Sequence, residues 1–162
     1  MADEKQKYCI DSSSLIELRA LDTDVFGGIW DALGQMVTEG ILHAPREVLR
    51  EVTKVDDTTA QWAKGRRDMF LEPDQEWVDK VTDVQAEFKF FDEESEAPKA
   101  DPFLVAHGIL HGCTIITQEK PAADVKSKAK IPNACERYGV RVLTLSEFFR
   151  EQGWTFIAKR SS

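Results

Sequence analysis

Cysteine is scarce in this chain, and its three copies, Cys9, Cys113 and Cys135, are odd in number and far apart. No pair has the short spacing of a zinc motif. Two of the three lie in apolar, strand-like runs, which argues for reduced, buried thiols of a cytoplasmic protein rather than a disulfide framework. Long apolar runs are also missing. Nothing approaches the ~20 residues that a membrane helix needs, and the amino-terminal MADEKQK lacks the apolar core of a signal peptide. Basic residues are outnumbered, 21 against 29, for a formal net charge of −8. That balance argues against a general nucleic-acid-coating protein, but it leaves room for an enzyme that handles a nucleic acid through a local basic patch. No internal repeat, low-complexity tract or linker divides the chain.

What is present is 162 residues, 42% hydrophobic and 31% charged. This is the balance of one soluble globular domain spanning residues 1–162, able to bury roughly 70% of its extended surface. Its most informative stretch is ADPFLVAHGILHGCTIITQE, residues 100–119. Asp101 before Pro102 is a helix-start signal, with the acid as cap and the proline in the first turn. Phe103, Leu104, Ala106, His107, Leu110 and His111 recur at helical spacing, and Gly112 stops the helix. Cys113–Thr117 is short, apolar and β-branched, as in a strand buried on both faces of a parallel sheet. A helix feeding a parallel strand starts at the carboxyl edge of the sheet, so Asp101 and Glu119 are expected at the same edge.

The remaining segments extend this pattern. Lys7–Ile10 reads as a first strand ending at Asp11, followed by SSS and a helix through Leu21. Asp11 is either a helix cap or a carboxylate at a strand tip, where open α/β sheets bind ligands; Ser13 then caps the helix or holds the acid. The spacing predicts a helix over 24–38, a second strand over 41–44, and a third helix opened by Pro45. On that third helix Pro45, Val48, Leu49 and Val52 form the core stripe, Glu51 sits at its boundary, and Glu47 points to solvent. A short helix follows Asp56-Asp57, Met69–Leu71 is extended, and a long amphipathic helix spans 74–91. Its nine acids against two lysines between Asp74 and Glu96 read as a solvated face. A short helix through Ala134 and Tyr138 ends at Gly139, a last strand covers 140–144, and Ser146 caps a final helix. Trp154–Ile157 forms an edge strand or a packed tail. Strands alternating with helices predict a three-layer α/β/α fold around a parallel sheet of four or five strands.

Such a sheet gathers Asp11, Glu51, Asp101 and Glu119 at its carboxyl edge. Two carboxylates ~5 Å apart repel by about 3 kcal/mol at an effective dielectric near 20. A cluster of four therefore shares protons or holds a cation. Oxygen-only ligation favours Mg²⁺ or Mn²⁺, ions suited to phosphodiester hydrolysis. His43 and His111 read as structural or exposed rather than as ligands, and His107 as bonded to a backbone group. A catalytically silent protein-interaction module is the alternative. A phosphoacceptor receiver domain also gathers acids, a threonine and a lysine at a sheet edge, but Thr117 and Lys120 here fall on one strand end.

The pieces YCIDSSSL, APREVLREV, ADPFLVAHG and CTIITQE, in this order and spacing, resemble the PIN-domain nucleases, including the VapC-type toxin ribonucleases. TQEKP and KIPNACERYGV resemble an uncharacterised bacterial and archaeal branch of that superfamily. The resemblance implies a metal-dependent ribonuclease with Asp11, Glu51, Asp101 and Glu119 around the ion and the hydroxyls of Ser13 and Thr117 beside it. It also implies RNA as substrate, a homodimer, and an antitoxin protein as partner. Two departures stand out: Glu119 occupies a position that is usually aspartate, and the chain as a whole is acidic. Arg46, Arg50, Lys120, Lys126, Lys128 and Lys130 are the candidates for a local RNA-binding patch.

Overall fold

Five short apolar runs pair into one sheet in the computed structural model, which describes residues 5–90, 99–123 and 129–161. They are β1 (Tyr8–Ile10), β2 (Leu42–Pro45), β3 (Phe70–Leu71), β4 (Thr114–Ile116) and β5 (Val142–Leu143). Every pair is parallel, in the order β3-β2-β1-β4-β5. The two central strands are buried along their whole length, as expected where helices cover both faces. Cys9 lies opposite Ile115 and Ile10 opposite Ile116. The chain winds outward from β1 through β2 to β3, then returns to place β4 on the other side of β1. The strand order therefore reverses between β1 and β4, and in open α/β sheets the crevice beyond such a reversal is where ligands bind.

The helices are α1 (Ser12–Glu17), α2 (Gly27–Thr38), α3 (Arg46–Val52), α4 (Thr58–Lys64), α5 (Gln75–Glu87), α6 (Asp101–His111), α7 (Ile131–Tyr138) and α8 (Leu145–Gln152). One packed group joins α6 to α5 and α7; another joins α3 to α1 and α4. With the sheet between them, the fold is the expected three-layer α/β/α arrangement. Close approach of α6 to the sheet depends on Gly108. A Cβ there would stand 2.6 Å from Val140 Cγ1 and 3.3 Å from Ile115 Cδ1. No described helix is long and apolar enough to cross a membrane.

Several local expectations are corrected. Ala100, not Asp101, is the N-cap of α6, and Asp101 is its first helical residue. The cap of α8 is Thr144, whose side chain accepts from Glu147 N at 3.2 Å, rather than Ser146. Pro45 closes β2 and precedes α3 in extended conformation, because β2 runs one residue further than its apolar pattern suggests. Of the extended Met69–Leu71 segment, Phe70–Leu71 becomes β3, paired to β2 through Ala44 and Pro45. Glu47 is not solvated but only 3% exposed. Helix α3 is covered by β3 and α4 as well as by α1, so its buried surface is wider than one apolar stripe. The segment Trp154–Ile157 is a tail without strand pairing; Trp154 packs edge-on to Phe148, with ring centroids 5.5 Å apart. The acids at positions 92–96, Phe91, Lys126 and Lys128 lie outside the described residues.

Candidate functional site

Asp11 leaves β1 at the reversal point and caps α1, accepting from Ser14 N at 2.9 Å. One side chain is thus both the cap of α1 and the residue at the tip of β1. Ser13 Oγ donates to the same carboxylate at 2.7–2.8 Å, and Thr117 Oγ1, just past β4, donates to Oδ2 at 2.5 Å. Ser13 Oγ in turn accepts from Gln118 N at 3.0 Å, and Thr117 Oγ1 accepts from Glu119 N at 3.1 Å. The ends of β1 and β4 are thus tied together around one carboxylate that is 2% exposed. Burial pushes the Asp11 carboxyl up, while the donors from Thr117, Ser13 and Ser14 pull it back toward ionisation. Three donors occupy three of roughly four acceptor positions on a carboxylate, leaving about one for a cation.

Glu51 comes from the carboxyl end of α3 and bridges two other elements. Its Oε2 accepts from Ser12 Oγ at 3.0 Å, and its Oε1 accepts from Ala100 N at 2.9 Å. The second bond satisfies the orphan amide at the start of α6 that a capping side chain would otherwise take. That contact fixes where Asp101 enters the site. Glu119 is held at the other side: its Oε2 accepts from Ile131 N, the first amide of α7, at 3.0 Å. Among the described residues, no hydrogen bond or ion pair reaches the Asp101 carboxylate. Burial, then the charges of Glu119, Glu51 and Asp11 in that order, push this acid up to about 7. Those three contributions are the physical signature of four acids, from four separate parts of the chain, sharing one electrostatic pocket.

The four acids are spread rather than tightly clustered. No three of these acids bring oxygen atoms within 4.8 Å of one another, whereas Cys9, His107 and Cys113 do bring their ligand atoms that close. The hard-ion chemistry of the set is nonetheless consistent. All donors are oxygens, Asp101 is destabilised as an anion by its neighbours, and Mg²⁺ usually keeps several waters while using one or two carboxylates directly. The residues fit a hydrated Mg²⁺ or Mn²⁺ better than a desolvated ion.

The basic residues behave differently from one another. Arg46 is taken up by acids, with Nη1 2.6 Å from Glu72 Oε1 and Nε 3.6 Å from Glu47 Oε1. Arg50 and Lys120 are exposed, and Lys130 is half-buried at the start of α7. His107 is corrected as well. Its Nδ1 is buried without a described partner, because the carbonyl one turn back, Phe103 O, already accepts from Trp77 Nε1 at 2.8 Å. His111 is exposed and His43 half-buried. The clustering of Cys9, Cys113 and His107 carries no signal in linear spacing. It follows only once β1 and β4 are known to be neighbours under α6.

The chain matches the profile of a family described as "Domain of unknown function (DUF4411)" over residues 8–156, and it belongs to that family. No curated protein matches it. It is similar to a solved structure, "Crystal structure of PAE2754 from Pyrobaculum aerophilum", at 14% identity and a TM-score of 0.45, covering 91% of this chain and 97% of that one. A likeness of that degree carries no argument about mechanism.

Proposed function

We propose that this member of the DUF4411 family is a Mg²⁺- or Mn²⁺-dependent endoribonuclease of the PIN type. The observation that carries the proposal is the convergence of Asp11, Glu51, Asp101 and Glu119 at the strand-order reversal, registered in the elevated pKa of Asp101. A divalent ion bound there supplies charge neutralisation, an activated water and stabilisation of the leaving oxygen. The chain's own residues prepare that site. The hydrogen bonds from Thr117 and Ser13 offset part of the upward push that burial gives the Asp11 carboxyl. Asp11 and Asp101 would be the direct ligands of such an ion. Glu51, locked between Ser12 and Ala100, positions the ion or the water. Glu119, restrained by the Ile131 amide, acts as an outer ligand. Exposed Arg50 and Lys120, with Lys130, offer charge to phosphates of a single-stranded RNA.

The test is cleavage of RNA with Mn²⁺ by the wild-type chain, Asp11→Asn and Asp101→Asn. Both substitutions keep side-chain size, and the second removes a repelled anion, so loss of activity in a still-folded Asp101→Asn is not an unfolding effect. Activity equal to wild type in both variants overturns the proposal.

One feature favours the second reading, a silent interaction module. Val25, Phe26, Phe156 and Ile157 are exposed at 71%, 41%, 47% and 89% and share one cavity wall with Ile29 and Gly28. A chain that neither cleaves RNA nor binds Mn²⁺ fits that reading.

A further inference from the structure

The inner face of the sheet under α6 holds a second, chemically distinct cluster. In parallel neighbours, paired residues point to the same face, and residues two apart along a strand do as well. Cys9 is paired with Ile115, and Cys113 lies two residues before Ile115, so both thiols face the helix that Ile115 touches at Gly108. His107 is the helical residue next to Gly108. The Sγ atoms of Cys9 and Cys113 and one imidazole nitrogen of His107 all lie within 4.8 Å of one another. Cys9 is 0% exposed, Cys113 3% and His107 8%.

This is an unusual way to fill a core. A buried imidazole nitrogen without a partner forfeits the hydrogen bond it makes in water, yet His107 Nδ1 has none among the described residues. Burial, then the neighbouring His111, His43 and Lys7, push the imidazole down to about 4, so at neutral pH it is the uncharged, ligating form. The cluster meets a cavity at His107. A cavity of about 420 Å³ is lined by His107 together with His43, His111, Lys5, Lys7 and Gln6. His43 is paired with Cys9 across β1 and β2, so it points to the same face.

We propose that Cys9, Cys113 and His107 form a buried site for a thiophilic d¹⁰ ion, Zn²⁺, with its fourth position open to the cavity for water or His43. Two thiolates and a neutral imidazole are a known zinc donor set, and their charge cancels that of Zn²⁺ in a dry environment. Binding releases the two thiol protons to solvent, and no electron moves. The site lies about 9 Å along α6 from Asp101, at 1.5 Å per residue. It uses soft donors where the acid cluster uses hard ones, so each ion has its own site. It does not depend on the nuclease reading.

The test uses the full chain, reduced without added thiols, stripped with chelator and kept in excess Mg²⁺ to fill oxygen sites. Titration with Co²⁺ is expected to give tetrahedral d–d bands in the visible and thiolate-to-cobalt charge transfer in the near ultraviolet, saturating at one ion per chain and bleached by Zn²⁺. About two protons should leave per Zn²⁺ bound. Cys113→Ala and His107→Gln should lose or reshape the bands, while Cys135→Ala and Asp11→Asn leave them intact. Absence of charge transfer in the folded wild-type chain overturns the proposal without recourse to any variant. So does a spectrum that survives Cys113→Ala and His107→Gln together.

Discussion

Asp101 and Asp11 are acids placed where the ionised form is disfavoured, and this sets the sign of their pH dependence. Asp101 is pushed from 3.8 to about 7 by burial and by three carboxylates; Asp11 is shifted in the same direction by burial. In the window between the unfolded value and about 7, the folded state binds more protons than the unfolded state. Stability without divalent ions therefore falls as pH rises through that window, with a slope of up to about 1.4 kcal/mol per pH unit from Asp101 alone. Glu151 acts oppositely: hydrogen bonds from Arg141 and Tyr8 hold it down to about 2, so its contribution is present above its ordinary value and is lost only in strong acid. Urea denaturation between about pH 5 and about pH 8 should show the decline in the wild-type chain. Asp101→Asn should flatten it and be the more stable protein at the upper end. A general effect of the net charge of −8 would leave the slope unchanged in that variant.

At the scale of elements, the position of Asp101 rests on how closely α6 lies on the sheet. Gly108 permits that contact, and its neighbours, Val140 and Ile115, are branched side chains anchored in the core rather than flexible ends. Gly108→Ala should cost about 1–3 kcal/mol through overpacking, read as a lower urea midpoint with unchanged slope. Val140→Ala should restore much of that loss in the double variant. Gly34→Ala is the contrasting case. Its Cβ would meet the Arg66 guanidinium at 2.5 Å, the mobile end of a long side chain that donates to Thr38 Oγ1. That side chain can swing away, so little stability should be lost. The elements themselves were legible because their signals are local: Pro102 in the first turn of α6, Gly112 in left-handed conformation after it, and the apolar β4. The cap of α6 was not, because its first amide is satisfied by Glu51, a residue distant in sequence. The burial of Glu47 escaped for a similar reason, since periodicity along one helix does not reveal how many neighbours surround it. The gathering of the four acids could be read from topology alone, whereas the Cys9–Cys113–His107 cluster needed the strand register.

For the molecule as a whole, the proposed site makes the acid cluster a stability defect that a bound divalent ion would relieve, which would link metal binding to folding. An ion that binds the folded chain alone stabilises it by about 2.7 kcal/mol at one hundred times its dissociation constant. For a chain of 162 residues, that corresponds to about 2–4 °C in melting temperature per kcal/mol. Mn²⁺ should therefore raise the melting temperature by several degrees near pH 8 and by less near pH 5, where protons occupy Asp101 and compete with the ion. The gain should shrink sharply in Asp101→Asn, whose melting temperature without metal is expected to exceed that of the wild type near pH 8. Monovalent salt at matched ionic strength is the control for screening of the net charge. A wild-type chain whose melting temperature is the same with Mn²⁺ as with matched salt has no hard-ion site. The four carboxylates would then belong to the scaffold that ties β1, α3, α6 and β4 together, and the exposed apolar face around Phe26 and Phe156 would become the functional surface.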